Sequence, residues 1–156
     1  MKKQERKRYD YLLANYSGTT AAAIALCPLG PRITTYVGRK DSSTAANEGD
    51  LPKVHDSGDS LFALFESKGF TAEDLAALLG AHSASKQFHL DQSQSGKSQD
   101  STPGIWDVKY YQETLDGTSP LRLPSDFALM NHADVGPRFK AFNGNQFGWN
   151  TAFASA

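Results

Sequence analysis

Thr71 to Ser85 reads TAEDLAALLGAHSAS, and the rest of the chain is organised around it. Thr71 is a good N-cap, and Asp74 three residues on makes a near capping box. Glu73 and Asp74 place negative charge in the first turn, where the helix dipole favours it. Leu75, Leu78, Leu79 and His82 follow at i, i+3, i+4 and i+7, so one helix over the whole stretch aligns an imidazole with three leucines. A histidine aimed into apolar space is either a satisfied core residue or a ligand, and the periodicity alone leaves both open.

Working outward, the flanks read as further helices joined by long loops. Asp59 to Lys68 is amphipathic and closed by Gly69. Trp106 to Leu115 puts Trp106, Tyr110, Tyr111 and Leu115 on or near one face. A short helix starts at Ser125 or Asp126 and runs through Met130, another covers about Val135 to Phe142, and a last one Asn145 to Ala154. Residues 21–27, AAAIALC, form a buried helical turn or two ended by Pro28, Gly30 and Pro31. Ile33 to Val37 is β-branched and aromatic, a short strand at best, and Arg39 to His55 is a polar loop. The fold class is mostly α with minimal β. Tyr11, Leu12, Leu13 and Tyr16 make one short apolar stripe behind a basic start of Lys2, Lys3, Arg6, Lys7 and Arg8, which reads as a solvated helix end.

Composition bounds the function. The 156 residues carry a net charge of −1, which gives no electrostatic case for nucleic acid. No apolar run reaches the ~20 residues of a membrane helix. The N-terminus lacks the apolar core of a signal peptide, so as written the chain is expected to stay in the cytoplasm. Cys27 is the only cysteine; it fits either a cytosolic protein or a piece of a secreted one.

Two further stretches carry chemistry. Asp100 to Asp107, DSTPGIWD, offers hard oxygens from Asp100, Thr102 and Asp107, with Gly104 letting the backbone turn. That set suits calcium. It equally suits a turn at Asp100 and a helix cap at Asp107. The long polar loop over residues 86–105 needs an anchor, which a cation would supply. In LPSDF, Leu123 to Phe127, Asp126 stands either as an N-cap or as the carboxylate that orients His82.

Together these stretches resemble the haem peroxidases of fungi, the class II type and the related cytochrome c peroxidase. CPLGPRITTYVGRKD (Cys27–Asp41), GFTAEDLAALLGAHS (Gly69–Ser83), DSTPGIWDVKYYQETL (Asp100–Leu115), LPSDFALM (Leu123–Met130) and the closing FKAFNGNQFGWNTAFASA run in the family's order. The resemblance covers residues 21–156 as the proximal portion of a peroxidase domain, and residues 1–20 do not match clearly. It implies a haem b and calcium protein, with His82 the proximal iron ligand and Asp126 accepting its N–H. Ser83, Asp100, Thr102, Asp107 and the carbonyl of Ile105 are the implied calcium ligands, and Lys86 and His89 lie where the family contacts the haem propionates. The implied reaction is oxidation of a small reducing substrate by hydrogen peroxide, in oxidative-stress response or lignin-type aromatic oxidation. The implied protein is a monomer, extracellular in the parent family, with no nucleic-acid or membrane partner.

The departures are as informative. Gln99 takes a position that is Phe or Trp in the family. Phe88 stands where the manganese-oxidising enzymes carry an aspartate, and Ala77 where lignin-oxidising members carry a surface tryptophan. None of the four histidines, His55, His82, His89 and His132, follows an arginine at the spacing of the family's distal helix. In the family the Cys27 position pairs with a cysteine of the N-terminal half. The expectation is therefore a truncated proximal half with impaired turnover and no catalytic distal pair. The competing expectations are a haem- or calcium-binding pseudoenzyme and, more weakly, a zinc protein built on the histidines.

Overall fold

A computed structural model of the chain describes residues 22–23, 25–36, 38, 43–44 and 50–156. The apolar stripe at Tyr11 to Tyr16, the basic start and most of the polar loop after Arg39 lie outside these residues. Six α-helices are named among the described residues: α1 (Gly58–Glu66), α2 (Ala72–Leu79), α3 (Lys109–Asp116), α4 (Pro124–Met130), α5 (Val135–Phe142) and α6 (Gln146–Ser155). The described residues hold no strand, only an isolated antiparallel bridge between Lys86 and Ser98. The mostly-α expectation is met. Ile33 to Tyr36 is irregular, and Val37 is not described. β-Branched residues favour extended backbone, but a strand also needs a partner edge, and here none pairs with it. No described helix is long and apolar enough to cross a membrane.

α2 is the hub, packing on α5 and α6, while α1 packs on α4 and α4 on α5. Its start is built as its sequence dictates. Thr71 Oγ1 accepts from the Asp74 amide at 3.2 Å, and the Asp74 carboxylate accepts from the Thr71 amide at 2.9 Å. Its end is not. The α-helix stops at Leu79, and residues Gly80–Ala84, with His82 among them, form a 3₁₀ turn. The cause is tertiary. Tyr111 Oη donates to the Ala76 carbonyl at 2.9 Å, and Trp149 Nε1 donates to the Ala77 carbonyl at 3.0 Å. These are the acceptors that another α-turn would use, and the chain tightens instead. Gly80 permits the approach, since a Cβ there would collide with both Trp149 Nε1 and Tyr111 Oη.

The core behind this junction is aromatic. Trp149, Tyr110, Tyr111 and Phe139 are fully buried. Trp106 stacks on Trp149 at 4.5 Å between centroids, and Tyr111 meets Phe139 edge-on at 4.7 Å. Such pairs add roughly 0.5–1.5 kcal/mol each beyond area burial. Three expected boundaries are corrected. The helix expected from Trp106 begins at Lys109, because Asp107 Oδ1 accepts from the Lys109 amide at 2.9 Å and holds residues 106–108 outside it. The helix expected from Ser125 or Asp126 begins at Pro124, whose fixed φ suits the first turn. α1 ends at Glu66 with Ser67 as C-cap, and Gly69 follows with φ of +91°.

Candidate functional site

His82 leaves the 3₁₀ turn with its ring pinned on one edge. Its Nδ1 lies 2.9 Å from Asp126 Oδ2. Asp126 sits in the first turn of α4, is 1% exposed, and is brought to His82 from 44 residues away. A carboxylate only accepts, so Nδ1 carries the hydrogen and Nε2 is left with its lone pair. Burial opposes charge on the imidazole, but the Asp126 charge and hydrogen bond outweigh it, and the net effect raises the His82 pKa above 6.5. Tyr110 meets the His82 ring edge-on at 5.6 Å.

The same ring lines an apolar cavity of about 300 Å³. Leu75, Leu78 and Leu79 of α2, Leu61 and Phe65 of α1 and Leu129 of α4 form much of its wall. The three leucines expected to share the face of His82 therefore do, although the histidine stands on a tighter turn than the helix. The walls from α1 and α4, and the Pro52 to Val54 segment beside them, were not read from the sequence. Their only sequence signal is the amphipathic pattern of α1. An imidazole that keeps one nitrogen lone pair and lines an apolar cavity is the donor an apolar group with a central metal requires, so the residues present suit haem.

The oxygen-rich loop is part satisfied and part not. Asp100 Oδ1 accepts from the Thr102 amide at 2.9 Å, and Thr102 Oγ1 donates to Asp107 Oδ2 at 2.9 Å. The turn at Asp100 is thus built, but the expected cap at Asp107 is corrected: Val108 holds the N-cap position of α3 with no side-chain cap, and Asp107 Oδ1 accepts from the Lys109 amide from outside the helix. Asp100 Oδ2 and Ser83 Oγ, however, are buried with no hydrogen-bond partner. Burial first, and the neighbouring Asp107 and Glu113 charges after it, raise the Asp100 pKa from 3.8 to about 6 against the lowering effect of the Thr102 amide. Among the described residues no three His, Cys, Asp or Glu side chains converge. A site here draws on two carboxylates, hydroxyls and a carbonyl, the hard donor set of calcium rather than of zinc. The orphaned oxygens fit such an ion. Ile105 is half exposed, and its amide donates to the Thr102 carbonyl at 2.9 Å.

The remaining positions fall as follows. Lys86 and His89 are exposed and neither lines the cavity. Gln99 is buried, and its Oε1 accepts from Ser85 Oγ at 2.8 Å, which satisfies an amide in a slot expected to be aromatic. Phe88 is exposed and Ala77 fully buried. Cys27 is free and exposed. His55 is exposed, and His132 Nε2 lies 3.2 Å from Asp59 while its Nδ1 accepts from the Asp134 amide at 3.2 Å.

A family model described as "Peroxidase" matches residues 16–145. The chain belongs to the peroxidase family. Among curated proteins it is 32% identical to a low-redox potential peroxidase of Taiwanofungus camphoratus, over 87% of this chain and 47% of that one. It is likewise 32% identical to manganese peroxidase 3 of Phlebia radiata, over 87% of this chain and 43% of the relative. Ligninase LG5 of Phanerodontia chrysosporium is 31% identical over 81% of this chain and 39% of its own. This member of the family thus spans less than half the length of these relatives. The resemblance to fungal class II enzymes is met by relatives of that kind along most of the chain.

Proposed function

We propose that this chain carries the haem-binding proximal side of a haem peroxidase, with His82 as the iron ligand and Asp126 as its hydrogen-bond acceptor. The observation that carries it is the 2.9 Å contact between His82 Nδ1 and Asp126, which fixes the tautomer that leaves Nε2 free beside an apolar cavity. Bound haem supplies the redox chemistry, reduction of hydrogen peroxide paid for by oxidation of a small reducing substrate. The chain's own residues do the rest. Asp126 holds the Nδ1 hydrogen and draws it toward the carboxylate, which makes Nε2 a stronger donor. Leu75, Leu78, Leu79 and Leu129 exclude water from the face of the ligand. Ser83, Asp100, Thr102, Asp107 and the Ile105 carbonyl hold a calcium ion that ties the loop to the turn bearing His82. Lys86 and His89 receive no part, since both lie away from the cavity.

A second reading, a haem- or calcium-binding protein without turnover, is favoured by the other histidines. His55 and His89 are exposed and His132 is engaged with Asp59, so His82 alone of the four lines the cavity. A general base for peroxide is then not among them. Haemin titration separates the readings. Saturation at one haem per chain, lost in His82→Ala, is expected. Equal binding by wild type and mutant overturns the ligand assignment. Peroxide turnover by the loaded wild type then selects the first reading, and haem uptake without turnover the second.

A further inference from the structure

Tyr111 and Trp149 spend their only side-chain donors on the backbone of the helix that leads to His82. Both residues are fully buried. Tyr111 Oη donates to the Ala76 carbonyl at 2.9 Å and lies 3.3 Å from that of Ala77, and Trp149 Nε1 donates to Ala77 at 3.0 Å. In a continuing α-helix these two carbonyls accept from the amides of Gly80 and Ala81. Here the Gly80 amide turns to Ala77, one residue nearer, and α2 ends at Leu79. The change of winding moves whatever follows. An α-helix advances about 100° and 1.5 Å per residue, a 3₁₀ turn about 120° and 2.0 Å. Over residues 80–82 the difference grows to roughly 60° around the axis and about 1.5 Å along it. The 2.9 Å contact between His82 Nδ1 and Asp126 tolerates only a few tenths of an ångström.

We propose that Tyr111 and Trp149 are positioning residues for His82: by taking the Ala76 and Ala77 carbonyls they set the winding that brings its ring to Asp126. The inference rests on the His82–Asp126 pair and, for its consequence, on the haem-binding reading. Ring packing alone does not explain the two residues, because phenylalanines would fill most of the same space. What the carbonyls need is the O–H and the N–H. Without them Gly80 returns its amide to Ala76, α2 runs on, and the imidazole turns away from Asp126. Gly80 belongs to the same device, since a Cβ there would collide with Trp149 Nε1 and Tyr111 Oη and drive both donors off.

The test uses the full chain without haem. Tyr111→Phe and Trp149→Phe keep an aromatic ring at each site and remove the donor. In the double variant the Cα resonances of residues 80–82 are expected to shift to α-helical values. The Nδ1–H resonance of His82, held from exchange by its bond to Asp126, is expected to be lost. Gly80→Ala is expected to displace His82 in the same way. Val135→Ala, a truncation at a fully buried position of α5 that removes no donor, is the control: its Tm is expected to fall while both sets of resonances stay. Unchanged resonances in the double variant overturn the proposal. So does loss of the Nδ1–H resonance in Val135→Ala, which makes it a mark of any loosened core. If the double variant does not fold, Tyr111→Phe alone decides. It frees the Ala76 carbonyl that the Gly80 amide would reclaim, and unchanged Gly80 and His82 resonances there overturn the proposal equally. None of these readouts needs haem, so failure of haem uptake overturns only the functional reading. Where haem binds, the iron–histidine stretching frequency is expected to shift in Tyr111→Phe and to stay in Val135→Ala.

Discussion

His82 and Ser83 are neighbours in sequence, yet their surroundings are opposite. The His82 ring finds its partner within the chain: one carboxylate, 2.9 Å away, answers its one hydrogen. Ser83 Oγ is buried and finds none, and Asp100 Oδ2, from the loop expected to serve with it, is equally alone. The difference is one of donor and acceptor balance. A neutral imidazole with a carboxylate is complementary, so folding can complete it. A set rich in carboxylate oxygens is like meeting like, and under the proposed function a cation would complete it. One turn thus carries a ring whose partner the protein supplies and, beside it, a hydroxyl for which the protein supplies none.

The largest effect is expected from filling the second region. Calcium should raise the Tm of the wild type, by about 2.7 kcal/mol of stability at one hundred times its dissociation constant. Asp100→Asn should abolish that gain while making the calcium-free chain no less stable, since it removes a buried carboxylate. Calorimetry with calcium and with chelator measures both, and a calcium response that survives Asp100→Asn breaks the comparison. Next, Asp126→Asn should weaken haem affinity by about 10–100-fold, the usual cost of losing the group behind a metal-bound histidine. Haemin titration reads it directly, and an unaltered affinity would show that the pair is only structural.

The pH response sharpens the contrast. Asp100 titrates at about 6 in the fold against an ordinary 3.8, so the folded state holds the extra proton between those values. Without calcium, stability should fall as pH rises from about 4 through 6. His82, raised above 6.5, adds stability that is full below 6.5 and is lost as pH climbs through its folded value. With calcium bound the Asp100 trend should reverse, because the ion needs the ionised carboxylate. Haem uptake should also grow with pH over the His82 range, as Nε2 must be free. Denaturation midpoints across pH, with and without calcium, resolve the two groups. The smallest effect is expected at Gln99→Leu. Ser85 Oγ loses its 2.8 Å acceptor there but keeps the His82 carbonyl at 3.1 Å, so about 1 kcal/mol is at stake in Tm.

How much was legible beforehand differs between residues. The capping box at Thr71 and the shared face of Leu75, Leu78, Leu79 and His82 were readable because both depend on spacing within one element. Asp126 was a candidate for His82, alongside an N-cap role that the structure gives to neither it nor Ser125. Choosing between the two took a contact across 44 residues. Tyr110 was placed on a helix face, but nothing in its spacing marked it as the neighbour of His82. The strand at Ile33 failed because residue preference cannot supply a partner.

What the sequence determined by itself was local: where α2 begins, which stripe it buries, and which loop is rich in hard oxygens. These follow from hydrogen bonds and periodicities inside a few turns, where chain neighbours are the whole environment. What only the tertiary structure decided was how α2 ends. Tyr111 and Trp149 reach in from 35 and 72 residues away to take the Ala76 and Ala77 carbonyls, and Gly80 lets them close in. The helix tightens there, and the resulting 3₁₀ turn is where His82 meets Asp126. No local pattern encodes that, because the groups that compete for those carbonyls become neighbours only when the chain is folded.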